Sequence, residues 1–124
     1  MSSFYRIVNK TKAEPISRKA KIADSFFLRF KGLMFKKAIS DEEALIFYNA
    51  PSIHTFFMRF PIDLAFLDKK MQVIRIYESL NPWKAVFCPK SFSVIEFPPH
   101  RTSQKSLEIG DILDFEPIDP SRYL

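Results

Sequence analysis

Five short apolar segments between residues 44 and 97 constrain the fold of this 124-residue chain more than any other feature. They are rich in Ile, Val and Phe, have the length of ordinary β-strands, and alternate with turn residues such as Asn, Pro and Asp. The segments are 44–48, 54–58, 62–67, 72–78 and 92–97. Regular alternation of short strands and turns is typical of a β-sandwich or a β-barrel.

The flanking sequence extends this pattern and adds one short helix. Residues 4–8 and 18–22 are predicted as two more strands, and residues 111–116, after a Gly-Asp turn, as the last strand. Asp24 has the residue type of a helix N-cap and Gly32 that of a C-cap, which predicts two helical turns over 26–31. We therefore predict a mainly β, single-domain fold over residues 1–124, with one or two short helices.

Composition excludes several classes of function. Only two glycines are present, Gly32 and Gly110, so neither a glycine-rich phosphate loop nor a dinucleotide-binding fingerprint can form. One cysteine and two histidines do not suffice for a four-ligand Cys/His zinc site or a Cys-x-x-Cys redox pair. We accordingly expect no cofactor and no bound metal.

The distribution of charge and of apolar residues bears on location and partners. The longest segment without a formal charge, residues 44–58, is too short and too polar to span a bilayer, and the N-terminus lacks the apolar run of a signal peptide. These features predict a cytoplasmic, monomeric protein without a membrane partner. Residues 1–37 contain ten Lys and Arg against two acidic residues, so nucleic acid is kept as a less favoured partner.

Several ordered motifs resemble the domain of unknown function 192 family. They are IAD at 22–24, KGLMF at 31–35, ALIF at 44–47, FFMR at 56–59 leading to PID at 61–63, VIEFP at 94–98 and GD at 110–111. The resemblance covers about residues 20–116 and implies a compact β-sandwich or barrel of jelly-roll-like topology, with no established activity. The chain departs from the family pattern at Ala44, Phe57 and Arg59, where Gly, Trp and Lys are usual, and it lacks an Asn-Thr step before Pro61.

Polar and aromatic residues that suggest chemistry are densest in residues 52–63. His54 and Arg59 there are suited to binding an anion, and Trp83, in a later loop, is suited either to roofing a pocket or to covering a hydrophobic edge. Asp63 and Glu96 form a candidate carboxylate pair for acid–base work. The structural alternative is that Arg59 forms an ion pair with one of these carboxylates and the aromatic residues belong to the core.

Three functions follow from these residues. The first is a small soluble binding module whose shallow cleft, formed by His54, Arg59, Asp63, Trp83 and Glu96, takes a small anionic molecule or a peptide end. The second is a hydrolase-like enzyme that uses Asp63, Glu96 or His54. The third is nucleic acid or polyanion binding through the basic N-terminal third. Convergence of the five residues on one concavity would favour the first.

Overall fold

The structure is a computed structural model that describes residues 4–23 and 39–119. Its nine strands are β1 (Phe4–Asn9), β2 (Glu14–Ile22), β3 (Glu43–Tyr48), β4 (Ser52–His54), β5 (Ile62–Leu67), β6 (Val73–Leu80), β7 (Ala85–Phe87), β8 (Ser93–Phe97) and β9 (Leu113–Ile118). One short helix, α1 (Arg101–Gln104), lies between β8 and β9. The predicted mainly β class is confirmed.

Seven strands form one curved sheet in the order β6-β5-β8-β3-β2-β1-β9. Its neighbouring strands are antiparallel, apart from the parallel pair β2 and β3. The two ends of the sheet meet at an isolated bridge between Gln72 and Ile112, where the Val73 N–H also donates to the Asp111 carbonyl at 2.8 Å. Within the described residues the sheet curls without closing into a barrel.

The curved sheet carries apolar side chains on both faces, because successive residues of a strand point to opposite sides. One buried cluster draws residues from both edge strands and fills the inside of the curl; it includes Ile7, Ile46, Val73, Phe97 and Leu113. A second cluster lies on the other face and includes Leu45, Phe47, Leu64, Phe66 and Val94. Two buried clusters on one sheet give the molecule its sandwich-like layers.

Strands β4 and β7 pair with each other as a separate two-stranded sheet, which we call the minor sheet. Ile53 lies opposite Val86 in the register, and both pack against the second apolar cluster. The residues that alternate with them, Ser52, His54, Ala85 and Phe87, are all exposed. The minor sheet therefore has one face on the core and one face in solvent.

The predicted strand over 54–58 is wrong in its bounds. Strand β4 ends at His54, and the chain turns at Thr55, since Phe57 adopts a left-handed backbone with φ of 65° and the Met58 N–H donates to the Thr55 carbonyl. Sequence analysis did not predict β7 or α1. The helix predicted over 26–31, with its cap at Gly32, lies outside the described residues.

The strands predicted over 4–8, 18–22, 44–48, 62–67, 72–78, 92–97 and 111–116 are confirmed, with their ends shifted by at most four residues. Among the described residues, no helix has the length and apolar character needed to cross a membrane.

Candidate functional site

Exposed aromatic rings lie in contact where β4 ends and β7 begins. The His54 and Phe56 ring centroids are 5.0 Å apart with planes 33° apart, and the Phe56 ring stacks on Trp83 at 5.8 Å and 27°. The Phe57 ring contacts the same indole at 4.8 Å. We call these four side chains, His54, Phe56, Phe57 and Trp83, the ring surface. It brings together two residues that the sequence proposed for the site, His54 and Trp83.

The rings are exposed although aromatic residues usually pack inside. Phe56 is 39% exposed, Phe57 48% and Trp83 60%. In a continuous strand, Phe56 and Phe57 would point to opposite faces, but the left-handed backbone at Phe57 allows both neighbours to face solvent. Contiguous exposed apolar area of this kind marks an interaction site more often than isolated exposed residues do.

Buried Thr55 holds the two loops that carry the rings. Its backbone N–H donates to the Lys84 carbonyl at 2.8 Å, and its carbonyl accepts the Trp83 N–H at 3.0 Å. Its hydroxyl donates to the Asn81 carbonyl at 2.7 Å and accepts the Lys84 N–H at 2.9 Å. This side chain completes bonds that the short β4–β7 ladder does not supply, so the ring surface is positioned before any ligand arrives.

The His54 ring has a defined hydrogen-bonding state. Its Nδ1 accepts the Phe56 N–H at 3.2 Å, so in the neutral imidazole the proton resides on Nε2. Nε2 makes no hydrogen bond to any residue that the structure describes. The nitrogen left for a ligand is therefore a donor, and a donor suits an oxygen atom of an anion.

All charged residues in the two segments that surround the ring surface are basic. Residues 49–62 and 79–95, which form the minor sheet and its loops, contain no Asp or Glu. Arg59, Lys84 and Lys90 in these segments are exposed, and none forms a salt bridge within the described part of the chain. Arg59 therefore does not pair with Asp63 or Glu96, and the local field favours a negative ligand.

Asp63 lies elsewhere and has a fully satisfied carboxylate. Its Oδ1 accepts the backbone N–H groups of Ser79 at 2.8 Å and His100 at 2.9 Å. Its Oδ2 accepts the Thr102 N–H at 2.9 Å and the Thr102 hydroxyl at 2.6 Å. The side chain is completely buried and joins β5, β6 and the start of α1. This arrangement, which we call the Asp63 junction, holds the fold together.

Glu96 is the other carboxyl that the sequence singled out, and it lies on the opposite face of the sheet. Asp63 is paired with Phe97 in the register, whereas Glu96 is paired with Leu64 and Leu45. Residues that lie opposite each other on neighbouring strands share a face, and adjacent residues on one strand do not. The carboxylate pair considered for acid–base work is therefore not assembled in the structure.

The environment of Glu96 is apolar. The residue is 2% exposed, and its Oε1 has no hydrogen-bond partner among the described residues. Burial without compensating contacts raises the pKa of the Glu96 carboxyl to about 8, so this side chain is mostly protonated at neutral pH. The sequence motif around Glu96 gave no sign of this environment beyond the apolar character of its neighbours.

The basic N-terminal third offers fewer free cations than its composition suggests. Arg6 pairs with Glu116 at 2.6 Å, Arg18 pairs with Glu42 at 3.3 Å, and Lys12 pairs with Glu108 and Asp111. A cavity of about 200 Å³ lies beside β2, and its lining includes no residue of the ring surface. It is lined by Phe4, Lys19, Lys21, Ile39, Glu43, Ala44 and Leu45.

Metal binding finds no support among the described residues, which hold no group of three His, Cys, Asp or Glu side chains arranged to bind an ion. Two residues of the ring surface's support, Thr55 and Lys84, were not singled out from the sequence. The available sequence signal is the lack of acidic residues in 49–62 and 79–95. That signal indicates a site only when the two segments are known to be neighbours.

Comparison with known proteins places the chain among uncharacterised relatives. Residues 7–115 match the family model DUF192, described as "Uncharacterized ACR". A UPF0127 protein of Thermococcus sibiricus is 38% identical over 119 residues, covering 89% of this chain and 74% of the relative. A UPF0127 protein of Pyrococcus horikoshii is 39% identical over 114 residues, covering 85% and 94%.

A solved structure supports the fold. The crystal structure of a protein of unknown function from Novosphingobium aromaticivorans superposes with a TM-score of 0.77 at 19% identity, covering 90% of this chain and 83% of the other. The family match spans nearly the whole described region and includes both β4 and β7. From the family model and the sequence identity of these relatives, the chain belongs to the DUF192 family.

Proposed function

We propose that the protein is a binding module whose ring surface holds a small anionic ligand with a flat apolar group. A peptide end is one example of such a ligand. The observation that carries this proposal is the contact between exposed rings in segments whose charged residues are all basic. The Phe56 ring lies 5.0 Å from the His54 ring and 5.8 Å from the Trp83 ring, and residues 49–62 and 79–95 contain no acidic residue.

The chemistry of the surface suits such a ligand in two ways. Aromatic side chains contribute large apolar contact area at a low cost in conformational entropy, and stacked rings add about 0.5–1.5 kcal/mol beyond burial. The His54 Nε2–H attracts an anionic group on the same ligand, as do the charges of Arg59 and Lys84, which form no salt bridge with any described residue. Positioning by buried Thr55 lowers the entropy lost when the ligand binds.

The test uses the single tryptophan of the chain as a reporter. Trp83 gives one indole N–H signal in a ¹H–¹⁵N NMR spectrum, and that signal lies in the proposed site. Titration with phenylacetate is expected to shift the indole signal in a saturable way. Benzylammonium, which replaces the carboxylate with a cation, is expected to bind at least about tenfold more weakly, and acetate, which lacks the ring, is expected to produce no saturable shift.

Two variants make the test specific. Phe56→Ala removes the ring that connects His54 with Trp83 and is expected to abolish the shift caused by phenylacetate. Ile109→Ala removes a 66% exposed apolar side chain at a distant turn and is expected to leave binding unchanged. The proposal is wrong if benzylammonium binds as tightly as phenylacetate, or if no ring-surface residue responds to either compound.

A further inference from the structure

The main chain of the minor sheet has unused hydrogen-bonding capacity on its outer edges. In an antiparallel pair, residues whose N–H and C=O groups bond across the ladder alternate with residues whose groups point outward. Here the Cys88 N–H donates to the Pro51 carbonyl and the Thr55 N–H donates to the Lys84 carbonyl. These bonds set the alternation along β4 and β7.

The alternation leaves four residues with outward-pointing main-chain groups. Between those two bonds, Ile53 and Val86 form the intervening hydrogen-bonded pair. The main-chain N–H and C=O groups of Ser52 and His54 therefore point away from β7. Those of Ala85 and Phe87 point away from β4. Outside the strand ladders, no main-chain hydrogen bond joins any of these four residues to another described residue. Each is exposed, so solvent and a partner reach the edges directly.

We propose that an extended acidic peptide segment of a partner protein adds to the outer edge of β7 as a third strand of the minor sheet. This inference rests on the proposed function and deepens it by naming the class of partner. An added strand takes its affinity from main-chain hydrogen bonds and its specificity from the side chains that alternate along it. The N–H and C=O groups of Ala85 and Phe87 supply up to four such bonds.

Strand β7 is the favoured edge because its surroundings suit an acidic segment with apolar side chains. Lys84 immediately precedes β7 and Lys90 follows shortly after it, both exposed and without an ion pair to any described residue. Phe87 is 66% exposed on the solvent face, and Trp83 lies at the start of the strand. Residues of the added strand opposite Ala85 and Phe87 would point to this same face, beside exposed apolar groups.

Charge argues against a second copy of the chain as the occupant. Two β7 strands that pair antiparallel about a two-fold axis bring the Lys84 of each copy toward the Lys90 of the other. No acidic residue lies in 79–95 to offset this repulsion. An acidic segment has the opposite sign, so each flanking lysine attracts it instead.

The experiment uses designed peptides as probes, blocked at both ends so that only internal pairing is measured. The acidic probe is an octapeptide of four Glu-Val repeats, acetylated and amidated, and its charge control replaces every Glu with Lys. Binding is followed through the Trp83 indole signal and the amide signals of Ala85 and Phe87. The acidic peptide is expected to bind at least about tenfold more tightly than the basic one.

N-methylation distinguishes strand pairing from general attraction. The valines that lie opposite Ala85 and Phe87 point their side chains to the same face as Phe87, and their N–H groups point toward β7. Methylation of all four valine nitrogens is therefore expected to abolish binding. Methylation of all four glutamate nitrogens affects groups that point away and is expected to change affinity less than about threefold. Equal effects of the two methylation patterns, or an equal affinity of the basic peptide, would overturn the inference.

A protein variant provides the reciprocal test. Phe87→Pro removes an outward N–H while leaving the Ile53–Val86 pair in place. It is expected to lower the affinity for the acidic peptide at least about tenfold. Ile109→Ala is the control. If phenylacetate binds and the peptide does not, this inference fails and the proposed function stands; if neither binds, both fail. A dimer that Phe87→Pro abolishes would also overturn the inference, because a second copy would then occupy the edge.

Discussion

The ring surface and the Asp63 junction both contain residues that sequence analysis selected as site candidates, and their environments are opposite. At the junction, one buried carboxylate accepts four hydrogen bonds from Ser79, His100 and Thr102, and no capacity is left for a ligand. At the ring surface, by contrast, aromatic side chains contact one another and remain open to solvent. The difference separates a region that stabilises the fold from one that is free to bind.

This comparison shows why residue type alone is a poor guide to function in this protein. A buried aspartate in an apolar strand draws attention in the sequence, but burial obliges its oxygens to find partners whether or not a ligand exists. An exposed phenylalanine draws little attention, although its exposure has a free-energy cost that packing would have removed. Four expected outcomes test the contrast, from the largest effect on stability to the smallest.

Loss of charge at the junction is expected to produce the largest effect. Asp63→Asn replaces an acceptor with an amide group that cannot accept all four hydrogen bonds, so buried donors lose their partner. We expect the free energy of unfolding to fall by about 2–4 kcal/mol in urea denaturation. Glu116→Gln, at an exposed ion pair with Arg6, is the control and should cost less than about 1 kcal/mol. A loss below 1 kcal/mol for Asp63→Asn would remove the junction's structural role.

The second expectation concerns Glu96 and pH. Its carboxyl binds a proton more tightly in the folded chain, with a pKa of about 8, than in the unfolded chain, where the usual value of 4.5 applies. The contribution of the neutral Glu96 carboxyl to the stability of the fold is therefore complete below about pH 4.5 and is lost as pH rises to about 8. Over this window Glu96 should lower the free energy of unfolding by at most about 1.4 kcal/mol per pH unit.

Denaturation curves between pH 5 and 8 test this contribution. Glu96→Gln keeps the shape of the side chain and cannot ionise, so its stability should depend less on pH than that of the natural chain. Glu78→Gln changes an exposed residue and should preserve the original dependence. Identical pH profiles for Glu96→Gln and the natural chain would show that Glu96 is not held neutral.

The third expectation concerns the support of the ring surface. Thr55→Val preserves the shape of the buried side chain but removes the hydroxyl that bonds Asn81 and Lys84. We expect a loss of about 1–2 kcal/mol in urea denaturation and weaker binding of phenylacetate, since the loops lose their fixed positions. Ser103→Ala removes an exposed hydroxyl and should alter neither quantity measurably. Unchanged ligand affinity in Thr55→Val would show that the loops need no such support.

The smallest effect on stability is expected at the ring surface itself. Trp83→Ala removes a side chain that is 60% exposed, so the free energy of unfolding should change by no more than about 0.5 kcal/mol. Phenylacetate affinity, followed through the amide signals of Phe56 and Phe57, should nevertheless fall at least about tenfold. A large loss of stability with unchanged affinity would reverse the contrast between the two regions.

Much of the sheet could be predicted because alternation and strand length are local properties. Apart from Asp63, the segment Ile62–Leu67 is apolar, and it forms a strand buried on both faces, as such runs predict. The segment 54–58 is also rich in apolar residues, but Thr55 bonds to a loop almost thirty residues away and the chain turns there. Strand β7 is three residues long, and its pairing with β4 has no local signal.

The candidate site was predictable only in part for a related reason. His54 and Trp83 were both selected from the sequence, and the structure connects them through Phe56. Asp63 and Glu96 were selected with them because both are acidic residues in apolar strands. Which face each side chain occupies depends on the register of β5 against β8, and a shift of one residue would exchange the faces.

The sequence by itself determined the mainly β class, most strand positions, the family, and the absence of glycine-rich nucleotide motifs, because these depend on residue types and on spacings of a few residues. Only the tertiary structure decided that Phe56 connects His54 with Trp83, that Asp63 and Glu96 lie on opposite faces, and that no described strand pairs with the outer edges of the minor sheet. Those outcomes depend on the pairing of strands distant in sequence, where register and burial, rather than composition, determine what each side chain and main-chain group contacts.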